Sequence, residues 1–557
     1  MKLTLLSLHS QYIHSSTVPW CLKAGVERYG DASIEVTIVE GNINEPEEAV
    51  IDRIRAATPD VLGISCYIWN IRTVRTLLPK LKNLPGTPTI VLGGPEVSYA
   101  AADYLDAHPQ IDCILSGEGE ESLPRYLNAL IRGTDVTAVP GVCVRGHIGE
   151  PVIGTGTPVK PNPMEYAASL NGRIAYWETS RGCPYRCAFC LSGRCGSVRF
   201  YDAQESLQEL VTLAQHGALT IKLVDRTFNA NPARAKEFWR FLIAQSDAGA
   251  IPPGTCYHFE IAGDILDEES LTILAQAPKG LFQLEIGMQS FHEPTLEAVH
   301  RKTDTQRLRE NIRRLVRARN MHIHIDLIAG LPQEDLATFA RSFRIAYDLG
   351  ADMLQLGFLK LLHGADMREY PQEFPCTFSD EPPYEVTETP WLSTQDLAVL
   401  RDVEHALDRL CNSGRFRRTM QYLTADAGLD IWELLRGFGA WMYEKPCRSL
   451  EAYMECFRNY LAQLPAVDVR RAEDCMIADR IATNSSGFIP HFLRVDGDAL
   501  HKAKKLLERT RPDGIKRGCA VLNGARTADT VTVVWADYTQ PDPITQEYTL
   551  RFERVRL

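Results

Sequence analysis

Short apolar runs alternate with amphipathic stretches over the first 145 residues. Residues 3–8, 34–39, 61–65, 89–92 and 113–115 are brief, rich in Val, Ile and Leu, and bounded by polar or glycine-containing turns, the pattern of buried strands. Between them, residues 18–29, 46–57, 71–81 and 98–107 place apolar side chains at helical spacing. Strand–helix alternation at this interval predicts a parallel, doubly wound sheet, which offers ligands the loops at the C-terminal ends of its strands. The alternation resumes later. Residues 175–179, 221–228, 257–263, 283–290, 323–330 and 353–360 read as the parallel strands of a partial (β/α)6 barrel, with functional residues at their C-terminal ends.

The stretch 146–172 contains Gly154, Gly156, Pro158, Pro161 and Pro163 and reads as an extended connector. Beyond about 370 the pattern changes. Pro371, Pro375, Pro382, Pro383 and Pro390 mark a loop, and residues 394–480 show helical spacing. Residues 530–557 alternate as strands do: Val531, Val533 and Trp535 share one face, Leu550 and Phe552 form another apolar face, and the phase slips at Val555 and Leu557, where a bulge or fraying is expected. The expected division is 1–145, a linker 146–172, a barrel 173–370 and a mostly helical C-terminal domain 371–557 ending in strands.

Apolar content of 45% and charged content of 24% describe a globular chain with full cores. No apolar run approaches the roughly 18–20 residues that span a bilayer, and the short apolar N-terminus reads as a first strand, so no membrane role is expected. A net charge of −11 speaks against a dedicated nucleic-acid binder. Fifteen scattered cysteines form no disulfide framework and suit a reducing, cytoplasmic setting.

The chemistry is concentrated in Cys183, Cys187 and Cys190, spaced C-x3-C-x2-C. Three thiols cannot pair evenly as disulfides. Structural zinc takes four ligands, and no second cysteine pair lies nearby. Three thiolates on a [4Fe–4S] cluster leave one iron open. Cys195 reads as an ordinary thiol.

This signature, with Gly182 ahead and Phe189 before the third cysteine, resembles that of the radical S-adenosylmethionine (SAM) superfamily. The resemblance implies a cluster whose open iron binds SAM, with Phe189 by the adenine. Asp225 takes the place of the acid that meets the methionine amine. Gln289 and Ser290 fall in a G-x-Q-S strand near the methionine and ribose, and Asp326 and Gly330 in the segment near the adenine. Glu260 and Glu285 lie on strands of unfixed parity, so each either touches ligand or makes a structural ion pair. Asp264 reads as a helix cap.

The first domain resembles the cobalamin-binding domains that precede many radical SAM barrels. Its strand-end loops carry the likeness: Gln11, Tyr12, Ser15 and Ser16; Cys66, Tyr67, Trp69 and Asn70; Gly93, Gly94, Pro95 and Glu96; Gly117, Glu118, Gly119 and Glu120. By resemblance these line the corrin and its nucleotide tail. There is no G-x-G-x-x-G after the first strand. The D-x-H-x-x-G motif of cobalamin mutases is also absent, so His9 and His14 read as polar loop residues and cobalt is expected without a protein histidine. The whole chain resembles an uncharacterised family of cobalamin radical enzymes with a shared C-terminal domain (domain of unknown function 4080), whose position suits a substrate-selecting cap.

The resemblances imply an enzyme that C-methylates an unactivated carbon of a small molecule or peptide through a 5′-deoxyadenosyl radical and methylcobalamin. Its electron donor would be a flavodoxin or ferredoxin, and the chain is expected to be a monomer. A non-methylating rearrangement, ring contraction or cyclisation is the alternative. A sensor is disfavoured by the full set of strand motifs, and an RNA methylthiotransferase by the lack of a second cysteine triad and a basic terminal module.

Overall fold

The computed structural model describes residues 1–556 except 444, 446, 448, 495–496, 511–513 and 525–529. The first sheet is formed by β1 (Lys2–His9), β2 (Glu35–Asn42), β3 (Val61–Ser65), β4 (Thr89–Gly93), β5 (Cys113–Leu115), β6 (Val142–Val144) and β7 (His147–Ile148), in the order β2-β1-β3-β4-β5-β6-β7. Its first five strands are parallel, and β6 and β7 close one edge as an antiparallel hairpin. From Leu3 to His9, β1 is buried on both faces, as a central parallel strand covered by helices requires.

The hairpin β6–β7 runs through position 145, so the first sheet extends past the expected end of its domain. The connector also carries more structure than its glycines and prolines suggest. Val152 bridges to Gly117, and Pro163–Ser169 is a helix led by Pro163 and capped by Asn162, whose side chain accepts from Met164 and Glu165 N–H. A prolyl ring at the first helical position and an Asn cap are helix-start signals that loop-like composition conceals.

The second sheet is formed by β8 (Ala175–Trp177), β11 (Thr220–Leu223), β12 (Cys256–Ile261), β13 (Phe282–Gln289), β14 (His322–Ala329) and β15 (Met353–Phe358). These pair in parallel, with β9 (Ser180–Arg181) and β10 (Arg199–Phe200) forming a short antiparallel pair beside them. The order β15-β14-β13-β12-β11-β8 follows the chain, which makes a six-stranded open barrel. Alternation is regular on β13: Phe282, Leu284, Ile286 and Met288 are buried in the core, while Gln283, Glu285, Gly287 and Gln289 take the other face.

Asp264 does not cap the helix that follows. That helix, Glu268–Ala275, is capped by Asp267, which accepts from Ser270 N–H, while Asp264 accepts from Asp304 N–H at 3.2 Å. Leu266 must first be turned into the core, and only then does the helix begin.

The C-terminal region opens with the hairpin β16 (Thr377–Phe378) and β17 (Val386–Glu388). Helices Thr394–Leu407, Arg417–Gln421, Ile431–Met442, Leu450–Leu461 and Val469–Thr483 follow. Its final sheet holds β18 (Arg517–Leu522), a strand the sequence pattern did not reveal, with β19 (Thr530–Asp537) and β20 (Leu550–Arg556). Pairing of β19 with β20 is unbroken from Thr530↔Arg556 to Ala536↔Leu550, so the expected bulge is absent through Arg556; Leu557 lies outside the described residues. The phase slip is met differently: Val555 is buried opposite Val531, and Phe552 is left 55% exposed. Among the described residues, no helix is long and apolar enough to cross a membrane.

The C-terminal region is latched to the first domain through Glu96. This buried carboxylate accepts from the Tyr104 hydroxyl at 2.8 Å and from the Tyr384 hydroxyl, across a sequence separation of 288 residues. Burial pushes the Glu96 carboxyl up, against the pull of the two hydroxyls. Tyr384→Phe removes one donor from a buried acid, so it is expected to cost about 1–3 kcal/mol. Chemical denaturation of the purified variant measures this, and unchanged stability would show that the latch contributes nothing.

Candidate functional site

The cysteine loop follows β8 and the short strand β9. Gly182, at φ +99°, turns the chain where a side chain would press on Ser197 and Val198, and the three cysteines follow within eight residues. Every one of their sulfurs has a polar neighbour. Cys183 Sγ lies 3.4 Å from the Thr227 hydroxyl, Cys190 Sγ accepts Ser192 N–H at 3.4 Å, and Cys187 Sγ accepts from Arg301 Nη1 at 3.8 Å. Burial pushes the Cys187 thiol up while Arg301 draws it down. Three thiols with hydrogen-bond donors at hand suit thiolate ligands of a cluster, whose properties depend on such contacts. Cys195 stands apart, its thiol 4.0 Å from the Leu191 carbonyl.

Asp225 anchors this loop from below. Its carboxylate accepts Thr179 N–H at 2.9 Å, the Thr179 hydroxyl at 2.7 Å and the Ser180 hydroxyl at 2.6 Å, all from the residues that lead into the cysteines. It is 1% exposed, and burial pushes it up to about 6 against those three donors. The sequence motif placed Asp225 at a ligand amine; its oxygens are instead spent on the backbone and hydroxyls beneath the loop. Ser290 is similarly committed, donating to Glu334 at 2.7 Å and accepting His292 N–H.

Arg181, two residues before Cys183, joins the loop to the first domain. It meets Glu118 at 3.1 Å, Glu120 at 2.8 Å and Glu178 at 2.7 Å, and Arg199 also pairs with Glu118. Burial works against the Arg181 charge, but Glu120 and Glu178 more than offset it and hold the guanidinium charged. Glu118 and Glu120, read from sequence as cofactor contacts, thus bind the cysteine loop. Arg181 carried no recognisable signal, because its partners lie some sixty residues away.

Other strand-end residues of the first domain divide in two. Ser15 is buried, donating to the Ile174 carbonyl and bonded to the Tyr166 hydroxyl; Asn70 accepts Tyr67 N–H and donates to the Leu8 and Ser65 carbonyls; Cys66 is fully buried. Gly94 and Gly117, at φ +110° and +89°, are required by close backbone: added β-carbons would fall 2.5 Å from the Cys66 carbonyl oxygen and 2.3 Å from Val152. By contrast Gln11, Tyr12, Pro95 and Trp69 are exposed, Ser16, Tyr67, Gly93 and Gly119 partly so. The Tyr67 and Trp69 rings stack 4.3 Å apart and 6° from parallel. An aromatic platform left open at the strand ends fits a large flat ligand such as a corrin. His9, expected in a loop, is the buried last residue of β1 and is paired with Glu40 at 3.2 Å, while His14 is paired with the Tyr176 hydroxyl at 2.7 Å.

In the barrel, Lys222, His258, Glu260, Glu285, His324 and Asp326 face one another across β11 to β14. Glu285 is ion-paired with Lys222 at 3.1 Å and lies 2.9 Å from His258 Nε2, so its side chain points into the barrel. Burial would raise the Glu285 carboxyl, but His258 and Lys222 hold it down at about 2. Glu260 is pushed up to about 7 by burial and by Glu285 beside it. Gln289 adopts φ +70° at an irregularity in the β13–β14 pairing, and its Oε1 is buried without a hydrogen-bond partner. Strain and an unsatisfied acceptor at a strand end are marks of a ligand position. Phe189 is half-buried, and Gly330, at φ +98°, packs on Val386 of the C-terminal region. On the outer side of the loop, a cavity of about 680 Å³ runs between Tyr99, Pro151 and Arg194 to Cys187 and Cys190.

Replacing Asp225 by Ala leaves Thr179 N–H without its acceptor. A cost of about 1–3 kcal/mol is expected in protein free of cluster and SAM, together with poorer iron retention, read by thermal melting and iron analysis. Unchanged melting of the ligand-free variant would remove Asp225 from its anchoring role.

Three family models match in succession: "B12 binding domain" over residues 20–127, "Radical SAM superfamily" over 177–345 and "Protein of unknown function (DUF4080)" over 372–516. A 2-(S-pantetheinyl)-carbapenam-3-carboxylate methyltransferase of Streptantibioticus cattleyicolor is 31% identical over 306 residues, 51% of this chain and 44% of the relative. An anaerobic magnesium-protoporphyrin IX monomethyl ester cyclase of Synechocystis is 28% identical over 318 residues, 52% of this chain and 60% of the relative. The chain thus spans about half the length of the curated relatives it matches. Among solved structures, the cobalamin-dependent SAM radical enzyme OxsB, with aqua-cobalamin and SAM bound, superposes with a TM-score of 0.58 at 14% identity, covering 92% of this chain and 81% of its own, a likeness of fold. The two matched domains imply a [4Fe–4S] cluster, SAM and cobalamin as cofactors. The chain thus joins a B12-binding domain, a radical SAM domain and a DUF4080 domain in that order.

Proposed function

We propose that the protein is a cobalamin-dependent radical SAM methyltransferase acting on an unactivated carbon of a small molecule or peptide. The observation that carries this reading is the Arg181 junction, which fixes the strand-end loops of the B12-binding domain against the cysteine loop at the barrel mouth. A methyl carrier and a radical source must share one cavity, and these ion pairs bring their loops together. When bound, the cluster supplies the electron that cleaves SAM to a hydrogen-abstracting radical, and cobalamin supplies the methyl carrier.

Cys183, Cys187 and Cys190 would hold the cluster. Phe189 would pack by the adenine, with Glu260, Gln289 and the backbone at Gly330 bordering SAM. Tyr12, Tyr67 and Trp69 would meet the corrin, and Gln11, Ser16, Gly93, Pro95 and Gly119 its edge and tail. Glu260 is suited to hold a proton near neutrality at the barrel mouth, since burial and Glu285 keep it near 7. The DUF4080 region, latched through Tyr384, would exclude water over the mouth and select the substrate. A reduced flavodoxin or ferredoxin would deliver the electron, and the enzyme would work as a monomer in the cytoplasm.

A second reading, radical cyclisation or rearrangement, is favoured by the relative named a cyclase. Anaerobic turnover of candidate metabolites with trideuteromethyl SAM separates the two. Methylation uses one SAM as donor and one as radical source, so S-adenosylhomocysteine and 5′-deoxyadenosine should form in about equal amounts, with label in the product. Deoxyadenosine without label transfer would replace methylation by rearrangement.

Because His9 and His14 are engaged with Glu40 and Tyr176, the bound corrinoid should carry no protein imidazole on cobalt. EPR of the reduced paramagnetic corrinoid should lack imidazole nitrogen splitting from the protein. Such splitting, lost in His9→Ala or His14→Ala, would overturn this expectation.

A further inference from the structure

The barrel lumen holds a group of donors that the proposed reaction leaves unused. His258 on β12, Glu285 on β13, and His324 and Asp326 on β14 converge below the strand ends. His258 Nε2 lies 2.9 Å from Glu285 Oε2, His324 Nε2 lies 2.9 Å from Asp326 Oδ1, and His324 Nδ1 lies 3.8 Å from Glu285 Oε2. One ligand atom each from Glu285, His324 and Asp326 falls within 4.8 Å of the others. The two imidazoles are deeply enclosed, with side chains 7% and 9% exposed.

These contacts are close but poorly directed as hydrogen bonds. Both Nε2 atoms and Asp326 Oδ1 are buried yet lack a partner in hydrogen-bond geometry, despite neighbours at 2.9 Å. Buried polar groups are nearly always satisfied. Imidazole nitrogens and carboxylate oxygens that crowd together without a shared N–H direction are arranged as ligands are around an ion. In a tetrahedral site with bonds of about 2.0–2.2 Å, neighbouring donors stand roughly 3.3 Å apart, a spacing that small side-chain movements would give the Glu285, His324 and Asp326 donors.

We propose that Glu285, His324 and Asp326 bind one divalent transition-metal ion of the zinc class, separate from the cluster and from cobalamin. One imidazole and two carboxylates suit Zn²⁺, and three protein ligands leave a fourth position for water, with the His258 imidazole beside Glu285. The ion ties β13 to β14 beneath the cofactor mouth. Glu285 and Asp326 then serve the barrel rather than SAM. The site stands whether or not the methyltransferase reading does.

The test uses cluster-loaded protein with cobalamin bound, incubated with one equivalent of zinc sulfate and passed over chelating resin. Mass-spectrometric metal analysis should find about one zinc per chain in addition to cluster iron. The zinc should persist in Cys183→Ala/Cys187→Ala/Cys190→Ala and be lost at least tenfold in His324→Ala. The milder Asp326→Asn covers the case in which that variant does not fold, and should also release zinc. As a readout independent of turnover, zinc should raise the melting temperature of wild type and not that of Asp326→Asn. Wild type that keeps no zinc and shows no melting shift overturns the proposal, as does zinc retained equally in the lumen variants or lost with the cysteines.

Discussion

One guanidinium holds the two halves of the reaction chamber together. Arg181 is largely buried among Glu118, Glu120 and Glu178, and it stands two residues before the first of the three cysteines. Three carboxylates this close would repel one another without it, and a buried guanidinium would be costly without them. The cluster is therefore strongly conditional: remove either side and uncompensated charge is left at the junction. A planar, always-charged side chain with five donors suits this role better than lysine would. The loops that offer a platform to the corrinoid and those that offer thiols to a cluster are in register because of it.

The same economy recurs around the site. Several acids that the sequence places at strand ends, where ligands bind, are used to fix those ends. Asp225 ties the residues ahead of the cysteines to β11, and Glu96 ties the DUF4080 region to the first sheet through Tyr384. A carboxylate with two or three donors can be buried, whereas a bare one cannot. Motif position alone does not separate such groups from ligand contacts.

The barrel lumen shows the converse. Its outward positions on β12 to β14 are apolar, while its inward positions are mostly polar and include His258, Glu260, Glu285, His324 and Asp326. Charge inside a closed, weakly solvated space must be neutralised locally, by ion pairing, by protonation or by a bound cation. Lys222 and His258 serve Glu285, and Glu260 is left to protonate near neutrality.

The sequence by itself determined the architecture and singled out the three cysteines as candidate cluster ligands. Short apolar runs alternating with helical spacing are local properties of the chain, so β3 and β5 and the helix Val18–Tyr29 coincide with the expected elements. Three thiols within eight residues likewise need no tertiary fold to be recognised. Strand β18 escaped notice because it becomes a strand by pairing with β19, which follows it in the chain. The direction in which Glu260 and Glu285 point depends on strand parity, and the roles of Asp225, Glu96 and Arg181 depend on partners between 45 and 288 residues away. Burial and long-range pairing decided those, because a carboxylate acquires its function from the donors that surround it, and only the folded chain brings them together.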